Sequence, residues 1–178
     1  MKHIDFIDLI DAKTENLHND KLLFWDLWCV EFLFEKIKDL NNELLFNLKK
    51  VNELLWKLND KEISINDLLS NDIIDLVLYN SEEDLENLNE DELEEKALYE
   101  IFIAYESILS NLKENGEVIY NCYEHSLNYI DYEIEGISIT TSNANPIYLK
   151  EINSQLQLSE KLDNSDEKLT FLNRKMYR

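Results

Sequence analysis

Apolar side chains recur along this chain at steps of three and four residues, and the polar breaks between those runs divide it into a series of predicted helices. The clearest run spans Asp91 to Asn115. There Leu93, Ala97, Ile101, Tyr105, Ile108 and Leu112 form a stripe that Leu98, Phe102 and Leu109 widen. A face that wide predicts packing on more than one neighbour. Asp91, Glu92, Glu94 and Glu95 crowd its first turns and Lys113 stands near its end, which suits the helix dipole. Gly116 follows where a left-handed cap is wanted.

The other elements follow from the same periodicity. A short helix is predicted over 4–16, then one from an Asn19-Asp20 cap to about Leu40. The second is apolar nearly all round, through Leu23, Phe24, Leu27, Trp28, Phe32 and Leu33. Such a helix is either central or covered by a partner. A third helix is predicted over Glu43 to Leu58, and residues 66–79 read as helical in one or two pieces. A strand over Asp72 to Tyr79 competes there, since Ile, Val and Tyr also suit strands. Residues 80–92 read as a surface connection anchored by Leu85 and Leu88. Glu117 to Glu135 predicts a helix ended by Gly136, with Ile119, Tyr123, Leu127, Ile130 and Ile134 inward. Residues 137–145 read as a loop with a brief extended piece. Asn145-Pro146 then caps and opens a helix to about Leu162. The tail, 164–178, holds a weak helix around Glu167 to Asn173 that packs back by Phe171 and Leu172 or frays.

These elements predict an all-α fold, a single compact domain over 1–178 of about six to eight helices. Composition agrees: two Gly and one Pro in 178 residues are too few for a turn-rich β fold. A chain of this length buries about 70% of its unfolded surface.

Charge changes the functional picture more than the fold. Acids outnumber bases by 38 to 17, a formal net charge of −21. That argues against a nucleic-acid or anionic membrane surface, which needs clustered Lys and Arg. It favours a basic protein as partner, because opposite fields speed encounter. It also serves solubility. No signal sequence or apolar run of membrane-spanning length is visible, and Cys29 and Cys122 lie inside apolar patterns. The expectation is a cytoplasmic protein with two free thiols.

Two acidic clusters stand out. One is the connection with Glu82, Glu83 and Asp84, which continues into the helix entrance at Glu95. The other is a stripe of Glu117, Asn121, Glu124, Asn128, Asp131 and Glu135, flanked by Tyr120 and Tyr132. Carboxylates beside tyrosines suit an interface with a Lys- or Arg-rich protein. A solvated helix face is the competing reading.

Catalytic constellations are hard to find. His3, His18 and His125 lack metal-ligand spacing, and two isolated glycines make no phosphate loop. Cys122 and His125 fall three apart on one predicted helix, but a buried Cys beside a boundary His explains them as well as a nucleophile pair does. No catalytic residue, metal or cofactor is expected.

The order of elements carries a resemblance. Leu54-Leu55-Trp56-Lys57-Leu58 is followed by a polar, partly helical segment, then by Glu82-Glu83-Asp84 and the helix around Ala97 and Ala104. Asn145-Pro146-Ile147-Tyr148-Leu149-Lys150-Glu151-Ile152-Asn153-Ser154-Gln155 opens the last helix. This resembles the uncharacterised bacterial YjaG-like family over roughly residues 20–163, with Leu78-Tyr79-Asn80 where that family has a proline. The resemblance implies an all-α bundle-like domain and carries over no catalytic residue. In type, the chain is also similar to the small acidic immunity proteins of bacterial toxin systems.

The functional expectation is therefore an acidic cytoplasmic protein-binding protein, most concretely an immunity protein. It would neutralise a cognate basic toxin, such as a nuclease, by covering its active surface. The alternative is a YjaG-like housekeeping adaptor or homodimer without catalytic activity, with an apolar interface drawn from Phe24, Trp28 and Phe32.

Overall fold

The computed structural model describes residues 3–17, 20–79, 85–89, 92–119, 121–133, 145–164 and 169–177. Eight α-helices and no strand are found among them: α1 (His3–Thr14), α2 (Asp20–Phe34), α3 (Glu43–Asn59), α4 (Ile65–Leu69), α5 (Asp72–Tyr79), α6 (Leu93–Asn115), α7 (Tyr123–Glu133) and α8 (Pro146–Asn164). A 3-10 turn, Arg174–Tyr177, closes the described chain. The strand considered for 72–79 is thus overturned. An Asp at each end of its first turn and the burial of Ile74 and Val77, three apart, suit a helix instead.

Helix α2 is the centre. Every residue from Leu22 to Val30 is buried, and the helix packs on α3, α6, α7 and α8. Its all-round apolar character therefore faces the protein's own core. Phe24 and Trp28, offered above as a homodimer interface, are fully buried, and Phe32 lies partly covered against Tyr129. Helix α6 touches α2, α3, α5 and α7, as its wide stripe foretold. Gly116 caps it at φ +72°, donating its N–H to Leu112 O at 3.1 Å. Helix α1 lies on α8.

Local caps hold several helix ends, the expected Asn145-Pro146 start among them. Asn42 accepts from the N–H of Leu44 at 2.8 Å, and Asn145 accepts from Ile147 at 2.9 Å ahead of Pro146. Ser64 and Asp67 form a reciprocal capping box on α4.

Three predicted boundaries are corrected. Helix α2 ends at Phe34, not Leu40. Its last turn tightens as Lys36 and Ile37 donate to the carbonyls three residues back, and Glu94 of α6 takes the N–H of Lys38 at 3.2 Å. The helix predicted from Glu117 begins only at Tyr123. Before it, Asn111 accepts from Ile119 N–H at 3.2 Å and Asp26 accepts from Cys122 N–H at 2.8 Å. Side chains of other helices have taken donors that a helix would have used. Ile119, expected inward, is consequently 60% exposed. The third correction is the tail, whose helical turn falls at Arg174–Tyr177 rather than 167–173. Of the two residues expected to pack the tail back, Phe171 meets Trp56 while Leu172 stays in solvent. Gly136, Ile134 and the loop 137–144 lie outside the described residues.

Candidate protein-binding surfaces

The end of α1 and the loop before α7 enclose a groove of about 630 Å³. Its lining follows from the two local structures just described. The last turn of α1 brings up Asp11, Thr14 and Glu15, and the unwound segment brings up Glu117, Val118, Ile119 and Asn121. Leu17, Leu22 and Val118 are buried and form an apolar floor. Asp11, Glu15 and Glu117 are exposed carboxylates, and none of the described lining residues is Lys, Arg or His. The arrangement fits a long cationic side chain, whose methylene stem covers apolar surface while its head meets the acids.

The groove wall is pinned from behind. Trp25 donates its indole N–H to Asn121 Oδ1 at 2.8 Å, and Asn121 donates from Nδ2 to Thr14 Oγ1 at 2.8 Å. Thr14 in turn donates to Ile10 O at 2.7 Å. One residue along, Cys122 N–H meets the fully buried Asp26. Burial drives the Asp26 carboxyl well above its ordinary value, against the lowering effect of the Cys122 backbone and thiol.

The exposed face of α7 adjoins this groove. Tyr123, at the start of α7, donates to Glu124 Oε1 at 3.3 Å, and the Asp11 carboxylate acts on the same phenol. Burial, then the charges of Glu124 and Asp11, hold its phenol far above the ordinary value. Glu124, Asn128 and Asp131 follow on one exposed side. At the far end the chain supplies cations of its own. Lys96 lies 4.2 Å over the Tyr132 ring, and Lys36 pairs with Glu133 at 3.0 Å.

Of the predicted partner-binding residues, Glu124, Asn128, Asp131 and Tyr132 therefore share one exposed face, and Glu117 lines the groove. Asn121 does not project to a partner with them; its amide is spent on Trp25 and Thr14. Glu82, Glu83, Asp84 and Glu135 lie outside the described residues. Asp11 and Glu15 were not singled out by sequence. Their spacing of four places them on one helix side, but only the fold brings Glu117 opposite.

Cys122 and His125 occupy separate environments. Burial first, then Asp26 and Cys29, raises the Cys122 thiol well above its ordinary value. His125 Nδ1 instead sits 2.5 Å from Glu100 Oε2 on α6, with both side chains buried. Ser126 donates to Glu151 Oε1 at 3.2 Å, and Gln155 donates to Ser126 Oγ at 2.9 Å, across the α7–α8 seam. These contacts tie α7 to its neighbours. Both cysteines are free and buried. Among the described residues no group of three or more His, Cys, Asp or Glu is placed to hold a metal, and no helix is long and apolar enough to cross a membrane.

No protein family, curated protein or solved structure matches this chain.

Proposed function

We propose that this protein binds a basic protein partner, and that the groove between α1 and the 117–121 loop receives a Lys or Arg side chain from it. The observation that carries this reading is the groove itself. Three carboxylates surround an apolar floor with no basic residue among the described lining. The net charge of −21 adds long-range attraction to the same class of partner. In its most concrete form the reading is an immunity protein that covers the active surface of a basic toxin. The charge balance and the small helical fold support that form.

The test is co-expression with the product of the adjacent reading frame, followed by titration of the purified pair at several salt concentrations. Binding that weakens with salt, together with protection of cells from that product, is the expected result. Binding that survives high salt, or a neighbour that neither binds nor harms, would remove the reading. An adaptor or homodimer would instead show salt-insensitive self-association in ultracentrifugation, through a surface other than the buried Phe24 and Trp28.

A further inference from the structure

Residues 169–178 hold three of the chain's 17 bases and none of its 38 acids. The described part of this basic segment lies against α2 and α3. Arg174 Nε stands 2.6 and 2.8 Å from the two carboxylate oxygens of Glu31, with side-chain exposures of only 11% and 15%. The guanidinium stacks 3.4 Å over the Phe171 ring, and Phe171 meets Trp56 edge-on at 5.5 Å. The backbone is gripped too. Asn59 Nδ2 donates to Leu169 O at 3.0 Å, and Asp60 Oδ1 accepts from Phe171 N–H at 3.1 Å. Side-chain seats combined with main-chain hydrogen bonds hold this turned segment as a bound peptide would be held.

The seating is incomplete. Trp56 Nε1 and Asn59 Oδ1 are buried without a hydrogen-bond partner among the described residues. A cavity of about 470 Å³ remains alongside, walled by Glu31, Glu53, Trp56 and Phe171 and also by Lys49 and Lys57. A buried donor and acceptor left unsatisfied are costly to the seated state.

We propose that the groove of Glu31, Trp56, Asn59 and Asp60 is a docking site for a basic segment of a partner protein that carries an aromatic residue and an arginine three positions later. Phe171 and Arg174 occupy it as an intramolecular competitor. That the external segment belongs to a basic partner rests on the function proposed above; the occupancy of the groove does not. Tethering gives the tail a high effective concentration, so it weakens any competing peptide without a new contact.

The probe is a synthetic peptide of residues 169–178, titrated into the full chain and into the full-length double variant Phe171→Ala/Arg174→Ala. The double variant should bind it at least tenfold more tightly than the unaltered chain. Adding Glu31→Gln should return binding to the weak level, and a peptide with both key positions replaced by Ala should not bind. Equal affinities, or no binding by a double variant that keeps its helical circular dichroism, would overturn the proposal. So would equal binding of the Ala peptide, which would signal charge alone.

A second measurement avoids disturbing the tail. Leu172 is 87% exposed while Cys29 and Cys122 are fully buried, so a spin label on Leu172→Cys reports the tail selectively. Excess peptide should raise the mobility of that label as the backbone of the tail is released; an unchanged spectrum at saturation overturns the proposal, as does a tail-dependent dimer in light scattering. Failure here would leave the α1 groove untouched, because binding there is read by the salt titration and by variants of Asp11, Glu15 and Glu117.

Discussion

The groove beside α1 and the groove beneath the C-terminal segment are both lined by carboxylates, yet only the second is answered by a cation from the chain. Arg174 reaches Glu31 and stacks on Phe171 there. At the first, Asp11, Glu15 and Glu117 surround an apolar floor with no base among the described lining. Their mechanical support differs as well. The wall of the α1 groove is held by neutral hydrogen bonds through Trp25, Asn121 and Thr14, whereas the occupant of the other groove is held by a largely covered ion pair. Acid density alone therefore does not mark a binding surface in so acidic a chain. What distinguishes these two is whether the fold has already supplied the counter-charge.

The largest effect on this comparison is expected at Asp26, which holds the N–H of Cys122 behind the α1 groove. Its folded-state carboxyl titrates well above the ordinary 3.8 because of burial. Above pH 3.8 the folded state thus keeps a proton that the unfolded chain has lost, and stability falls as pH rises toward the folded value. Asp26→Asn removes that dependence, so its stability relative to the unaltered chain should grow as pH rises. Urea denaturation at pH 5 and pH 8 checks this, and a constant gap between the two proteins would contradict it.

Asn121→Ala comes next. It leaves the buried indole N–H of Trp25 without its acceptor and should cost about 2–3 kcal/mol in the same denaturation assay. Arg174→Ala should cost about 2 kcal/mol, the range of hydrogen bonds to charged groups, and the loss should shrink in high salt while that of Asn121→Ala does not. A salt-independent loss at Arg174 would erase the contrast drawn between the two grooves. The smallest stability effect belongs to Asp11→Asn, Glu15→Gln and Glu117→Gln, each within about 0.5 kcal/mol because these are exposed side chains. Combined, the three should weaken a basic partner by on the order of tenfold and flatten the salt dependence of its binding.

Helix-by-helix, much of the fold was legible in the chain. Stripes at helical spacing marked α1, α3, α6 and α8, and local caps marked the end of α6 and the start of α8. The Asn145-Pro146 pair and Gly116 act where their chemistry placed them. These signals are local, since a cap or a left-handed residue acts within one turn. The boundaries that were misread are those set from a distance. Glu94 lies 56 positions from the Lys38 N–H it accepts, and Asp26 lies 96 from Cys122. No window along the sequence contains both partners of such a bond.

The candidate site divides in the same way. Glu124, Asn128 and Asp131 were readable as one helix face because steps of three and four align them whatever surrounds the helix. Helical spacing puts Asn121 on that face only if the helix starts at Glu117; the fold starts it at Tyr123 and gives the Asn121 amide to Trp25 and Thr14 once α1 and α2 pack. Sequence by itself determined an all-α chain, an all-round apolar helix that had to be covered on every side, and a strongly negative charge, since periodicity, breakers and charge need no knowledge of contacts; that the cover is the protein's own core was decided by packing. Tertiary structure alone decided which carboxylates stand open and which meet Arg174. That outcome depends on backbone donors and charged side chains finding partners far along the chain, and only packing brings those together.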